Sequence, residues 1–273
     1  MSDGQDKDVG IFEDESGNRT VYIREFDLND MHPCDSKDIK SGAKVVIIGK
    51  PNTGKSTLIE SIMYNKAHIF PICQIFSGTE SANHFYASKC PDSLIYDDLD
   101  VKALENFAKR QQIAMQYLPN PWALCILDDC SDDASIINRA PFPAYYKKGR
   151  HWRMLHILAL QYSLDIKPGI RSCVDYAFLL ATSNKTDRKK LYENFAAGCI
   201  PTFQDFCDIM DTITEDRTAL VINNMTTSNK LEDRVFYYKA DPTIIPKDFK
   251  ICCNEAYECN RERKDPNYIP KVL

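Results

Sequence analysis

No apolar run in this chain approaches the ~20 residues that a bilayer-spanning helix needs, so no membrane span is expected. The first 30 residues are acidic and polar and lack the apolar core of a secretory leader. Basic residues are not in excess: 34 Lys and Arg stand against 39 Asp and Glu, a formal charge of −5. That balance excludes a surface coated in positive charge, yet allows Lys and Arg to gather on one inner face. Internal repeats and low-complexity tracts are missing too. The 11 cysteines are odd in number and lie scattered through apolar runs, as at Cys73, Cys125 and Cys173. No paired-cysteine zinc spacing occurs; the nearest approach, Cys252, Cys253 and Cys259, has no neighbouring histidine. Reduced thiols in an intracellular compartment are the expected state.

What is present is ordinary globular material, 44% hydrophobic and 27% charged over 273 residues. Residues 1–40 read as an acidic arm with a short β-like patch, "TVYIREF" (Thr20–Phe26). From Ala43, apolar runs alternate with helix-length segments: Val45–Ile48, His68–Phe76, Leu94–Tyr96, Ala123–Leu127, Leu155–Leu160 and Tyr176–Ala181. Between them, Val101–Tyr117 gathers Ala103, Leu104, Phe107 and Ala108 on one side. Such alternation implies an α/β fold with a mostly parallel sheet covered on both faces. "TALVINN" and "DRVFYYKA" predict a terminal antiparallel pair. Domain organisation is expected as an arm (1–40), a nucleotide domain (41–240) and a proline-punctuated tail (241–273).

"VVIIGKPNTGKSTL" (Val45–Leu58) satisfies G-x-x-x-x-G-K-[ST] after a strand and before a helix. Gly49 and Gly54 let the backbone curl so that N–H groups of the Asn52–Thr57 stretch meet phosphate oxygens at a helix N-terminus. Lys55 would reach the β and γ phosphates, and Ser56 would hold Mg²⁺. "WALCILDD" ends in two carboxylates: Asp128 for the Mg²⁺ shell and Asp129 to orient or deprotonate water. Asp132 and Asp133 are expected to cap and face solvent. "MLHILALQY" then ends in Gln161, whose amide can touch γ-phosphate and lytic water together.

One rival reading is a GTP-operated switch. Proline-asparagine within the loop and "NKTD" (Asn184–Asp187) both suit it, since an aspartate there can read guanine. No glycine follows Asp128 or Asp129 at the D-x-x-G offset, however, and "FAAGCIP" stands where an S-A-K loop is needed. "NKTD" is therefore read as a helix entry, with Thr186 or Asp187 near the cap. A nucleotide kinase and an idle nucleotide-binding scaffold are two further rivals.

The order of phosphate loop, Asp-Asp strand and strand-terminal Gln resembles the FtsK/HerA division of RecA-like motor ATPases. "FSGTESANHFY", "GRHWRMLHILALQY", "IRSCVDYAFLL" and "SNKLEDRVFYYKA" are similar to the genome-packaging ATPases of large DNA viruses. Many relatives carry Glu where Asp129 stands, which leaves room for a water-bridged role. The resemblance implies a RecA-like core and a ring, expected to be hexameric. ATP hydrolysis with Mg²⁺ would move double-stranded DNA into a capsid, at the assembly site in the host cytoplasm. It also implies capsid or inner-membrane virion partners, carriage in the virion, and an arginine acting across the subunit seam, with Arg171 first and Arg188 second. Lys147, Lys148 and Arg150, in "YYKKGRHWR" (145–153), are candidate DNA contacts, and Lys109 and Arg110 weaker ones.

Overall fold

The computed structural model describes residues 22–33, 41–130, 137, 142–162, 166–265, 267 and 269. Thr20 and Val21 of the β-like patch lie outside the described residues, as do Asp132 and Asp133. Along the described chain the main elements are β1 (Ala43–Ile48), α1 (Lys55–Lys66), β2 (Ile72–Ser77), β3 (Ile95–Tyr96), α2 (Val101–Tyr117), β4 (Ala123–Asp128), α3 (Phe142–Lys148) and β5 (Met154–Leu160). They continue with β6 (Tyr176–Leu179), α4 (Lys185–Leu191), α5 (Phe203–Ile213), β7 (Thr218–Asn223), β8 (Val235–Lys239) and α6 (Asn254–Arg263).

The eight strands form one sheet in the order β3-β2-β4-β5-β1-β6-β7-β8. Pairing is parallel from β3 to β6, whereas β7 runs antiparallel to both β6 and β8. The alternating α/β reading and the terminal antiparallel pair are both observed. Every residue of β1, β4 and β5 is buried, as strands covered on both faces require. The two-residue period of β1 sends Val46 and Ile48 into one core and Val45 and Ile47 into the other. α1 covers the second face with Leu58, Ile59, Ile62 and Met63. The first face receives α2, α3 and α5, with Phe107, Tyr146 and Phe206 among their buried side chains.

Local signals account for several boundaries. Asp100 caps α2 by accepting from the N–H groups of Lys102 and Ala103. Thr202 and Asp205 form a capping box that starts α5. The expected run His68–Phe76 becomes a strand only at Ile72: residues 67–69 form a turn, and Pro71 has no N–H to give a ladder. Leu94–Tyr96 shortens to two strand residues because a 3₁₀ turn, Asp92–Leu94, occupies its start. The arm's described part lies along β8: Phe26 donates to Tyr237 O at 2.7 Å, and Tyr237 donates to Arg24 O at 3.1 Å.

His156 in β5 is wholly buried among Phe142, Tyr145 and Tyr146, at ring separations of 6.1, 5.2 and 5.2 Å. Neither ring nitrogen finds a hydrogen-bond partner among the described residues. Burial pushes its pKa down to about 3 from 6.5, with the Lys44 ammonium adding to the fall. The unfolded chain therefore binds a proton that the native one excludes. Stability is intact above pH 6.5 and falls as pH drops below it. Urea unfolding at pH 7 and pH 5 is expected to differ by about 2 kcal/mol from this group. His156→Leu should remove that share of the pH slope; an unchanged slope would contradict a neutral buried imidazole.

Candidate functional site

β1 ends at Ile48 and the chain turns at once. Gly49 N donates to Leu160 O at 3.0 Å, and a Cβ on Gly49 would lie 2.5 Å from Thr53 Oγ1 and 2.7 Å from Leu180 Cδ1. Only a bare residue fits there. Thr53 closes the curl on Lys50 O, through its N–H at 3.3 Å and its hydroxyl at 2.7 Å. Asn52 (φ 66°) and Gly54 (φ 102°) take the left-handed conformation that asparagine and glycine tolerate best. The first N–H groups of α1, at Lys55, Ser56 and Thr57, have no intrahelical acceptors. Those three residues line a cavity of about 410 Å³ together with Asp128, Asp129 and Gln161. The structure thus brings together the phosphate loop from Gly49 to Thr57, both carboxylates and the strand-tip glutamine.

Strand order explains the meeting. β5 lies between β1 and β4, pairing Ile48 with Leu160 and Asp128 with Ala159. Gln161, one residue past β5, therefore stands between the loop and the carboxylates. Its Nε2 donates to Asp129 Oδ2 at 3.3 Å, and Lys55 Nζ forms a short ion pair with the same oxygen. Asp129 itself has a left-handed backbone, φ 43°, a conformation that costs an ordinary side chain about 1–2 kcal/mol. Two backbone contacts hold it: Asp129 N donates to Ala159 O at 3.2 Å, and Gly78 N donates to Asp128 O at 3.3 Å. A Cβ on Gly78 would come within 2.4 Å of Asp129 O, so this close approach needs glycine.

Asp128 is 6% exposed and accepts from Tyr86 Oη at 2.9 Å. Burial pushes its carboxyl above the usual carboxylate range. The Lys55 ammonium and the Tyr86 hydroxyl pull it back, and Asp129 and Glu80 push further upward. Buried Glu80 accepts from the N–H groups of Tyr86 and Ala87 at 2.9 and 2.8 Å, which fixes the segment carrying Tyr86. Among the described residues Asp128 has no ion pair, so a cation is the natural complement. Its carboxylate and the Ser56 hydroxyl are hard oxygen donors that fit Mg²⁺. The described residues contain no group of three or more His, Cys, Asp or Glu side chains able to hold a metal. Mg²⁺ suits such a sparse set because it keeps waters and phosphate oxygens as its remaining ligands.

The other expected residues are placed elsewhere. Arg171 donates to Ile166 O at 2.8 Å and sits by Lys44, at the opposite end of the sheet from the loop. The six residues of β1 separate the two ends by roughly 20 Å. Arg171 is therefore outside the site of its own chain. Arg188 is engaged within the chain: it donates to Thr182 O at 2.6 Å and grips Asp211 with both terminal nitrogens. That fork raises the Arg188 pKa and lowers that of Asp211, which makes the second arginine candidate an intrachain ion pair. Lys147, Lys148 and Lys109 are exposed, but Arg150 pairs with Asp175 and half-buried Arg110 bonds Gln111. Tyr145 and Tyr146 are core residues, so the aromatic half of 145–153 is packing. "NKTD" is a helix entry as expected: the cap is Asn184, accepting from Thr186 N and Asp187 N, both in the first turn beside it. Asp187 also lies 3.4 Å from Lys50 Nζ of the loop.

Glu80 and Tyr86 lie in "FSGTESANHFY" but have no role legible there, and Arg217 lies in no stretch that stands out in the sequence. Tyr86 stands 42 positions before Asp128, and only the β2–β4 pairing shows that they meet. Gly78→Ala is expected to lose about 1–3 kcal/mol of stability and to displace Asp129. Thermal melting and nucleotide turnover measured together check this; a variant normal in both would show that the close approach is dispensable.

Known proteins supply the remaining context. The family model described as "50S ribosome-binding GTPase" matches residues 44–89, which hold the phosphate loop and β2 but stop short of Asp128. Protein 088R of Invertebrate iridescent virus 3 is 51% identical over 224 residues, 81% of this chain and 85% of that protein. Protein 075L of Invertebrate iridescent virus 6 is 39% identical over 256 residues, 93% of this chain and 98% of its own length. Among solved structures, the genome packaging NTPase B204 from Sulfolobus turreted icosahedral virus 2, in complex with ATP-gammaS, matches with a TM-score of 0.52 at 14% identity. It covers 72% of this chain and 97% of that one, a likeness of fold. The chain belongs to the viral protein family represented by 088R and 075L, and its fold is that of a P-loop NTPase.

Proposed function

We propose that this chain is a Mg²⁺-dependent ATPase that drives double-stranded DNA into a viral capsid as a ring, six-membered by resemblance. The observation that carries the reading is the junction of Lys55, Asp129 and Gln161 at the tips of neighbouring strands. The fold shared with B204, a genome packaging NTPase, supports the cargo. N–H groups at the start of α1 receive the phosphates, and Lys55 exchanges its hold on Asp129 for an entering phosphate oxygen. Mg²⁺, when bound by Ser56 and Asp128, neutralises charge on the β and γ phosphates. Asp129, released from Lys55, orients the attacking water or takes its proton, directly or through a second water. Gln161 touches both Asp129 and the cavity, so loss of the γ-phosphate changes its contacts and those of β5. Arg171, remote from its own site, is the residue proposed to serve a neighbour's, and action at the host's cytoplasmic assembly site goes with this reading.

A GTP switch remains the second reading, favoured by the match of residues 44–89 and by Asp187 beside the loop. The purified protein is expected to hydrolyse ATP in preference to GTP and to accelerate with duplex DNA. A strong GTP preference abolished by Asp187→Ala would overturn the motor reading in favour of the switch. Asp129→Asn is expected to keep nucleotide affinity while turnover falls by about 10²-fold or more; retained turnover would remove Asp129 from the chemistry. Mixing Arg171→Ala with Lys55→Ala subunits should restore part of the activity, because one seam regains a complete site. Absence of any rescue would leave Arg171 without a role across the seam.

A further inference from the structure

The turn before β7, "TEDRT" (214–218), holds two consecutive non-glycine residues in left-handed conformation, Asp216 at φ 50° and Arg217 at φ 61°. Asp216 is tied to β8 by an ion pair with Lys239, and Thr214 is tied to α5 by its bond to Met210 O at 2.7 Å. This geometry presses Arg217 against the phosphate loop: a Cβ on Gly54 would stand 2.8 Å from Arg217 Cβ and 3.3 Å from its Cγ. The side chain is exposed, lines the same cavity as Lys55 and Ser56, and has no hydrogen-bond or ion-pair partner among the described residues.

Strand order says which part of a nucleotide it meets. Asp128 ends β4 and Asp129 follows it, two strands from β1 on one side; Arg217 immediately precedes β7, two strands from β1 on the other. At about 4.8 Å per strand, the axes of β4 and β7 each lie roughly 10 Å from that of β1. A triphosphate with its γ end at Asp129 and Gln161 therefore points its nucleoside end toward Arg217. We propose that Arg217 holds the α-phosphate and base end of the bound nucleotide, its guanidinium supplying charge to the one and a flat face to the other. Such a contact adds affinity without choosing among bases. The inference rests on the ATPase reading of the site, and it concerns binding rather than the chemical step.

Arg217→Gly tests it, because glycine accepts a φ of 61° and leaves the turn its shape. Calorimetric titration of the full chain with ADP and with a slowly hydrolysed ATP analogue is expected to show both affinities weakened about tenfold, the loss of one charge-assisted contact. KM for ATP should rise by a similar factor, with kcat within about twofold at saturation. Unchanged ADP affinity, a loss confined to the triphosphate, or a collapse of kcat would each overturn the assignment. Arg217→Lys, which keeps the charge but not the flat face, should recover only part of the affinity; full recovery would remove the base from the contact. A wild-type chain that binds neither nucleotide overturns the ATPase reading itself, whereas normal binding by Arg217→Gly overturns this inference alone.

Discussion

Two carboxylates at adjacent positions on one strand tip repel each other, and burial makes that repulsion costly. The site is organised around settling this conflict at Asp128 and Asp129. The settlement is unequal: Asp129 takes the Lys55 ammonium in a direct ion pair, while Asp128 feels that charge without pairing and accepts from the Tyr86 hydroxyl. A backbone flip at Asp129 aims the two groups differently, and bare Gly78 lets the flip pack. Burial still holds Asp128 above the usual carboxylate range, a penalty that a cation bound there would relieve. Because Lys55 holds Asp129, anything that drew the ammonium away would free the second acid.

Much of this is legible in the sequence, and the reasons are physical. The phosphate loop has few sequence solutions, because its curl needs Gly49 and Gly54 and its charge needs Lys55. Strands buried on both faces, such as β1, β4 and β5, announce themselves as uninterrupted apolar runs. Gln161 stands out because it ends such a run. Short edge elements are harder: β3 keeps only two residues, since 3₁₀ hydrogen bonds and not hydrophobicity set its start. Tyr86 and Arg217 are out of reach for a different reason. Each matters through a contact set by strand order, and neither residue type is unusual where it stands. The same holds for Arg188, whose partner Asp211 lies 23 positions away on another helix.

The sheet also separates two kinds of positive charge. Lys55 and Arg217 lie at the carboxyl ends of the parallel strands, close to the loop. Lys44, Lys147, Arg150 and Arg171 surround a second cavity, of about 800 Å³, at the amino ends. Both ends of the sheet thus carry a group of cations, although the chain as a whole has a net charge of −5.

One further consequence follows from the margins of the sheet. At one margin β3 offers only two residues; at the other the main chain of Arg24 and Phe26 already occupies β8 at Tyr237. Among the described residues, neither margin presents a long run of free backbone donors and acceptors. A second copy of the chain finds little open ladder there to extend, which keeps the eight-stranded sheet from growing across chains.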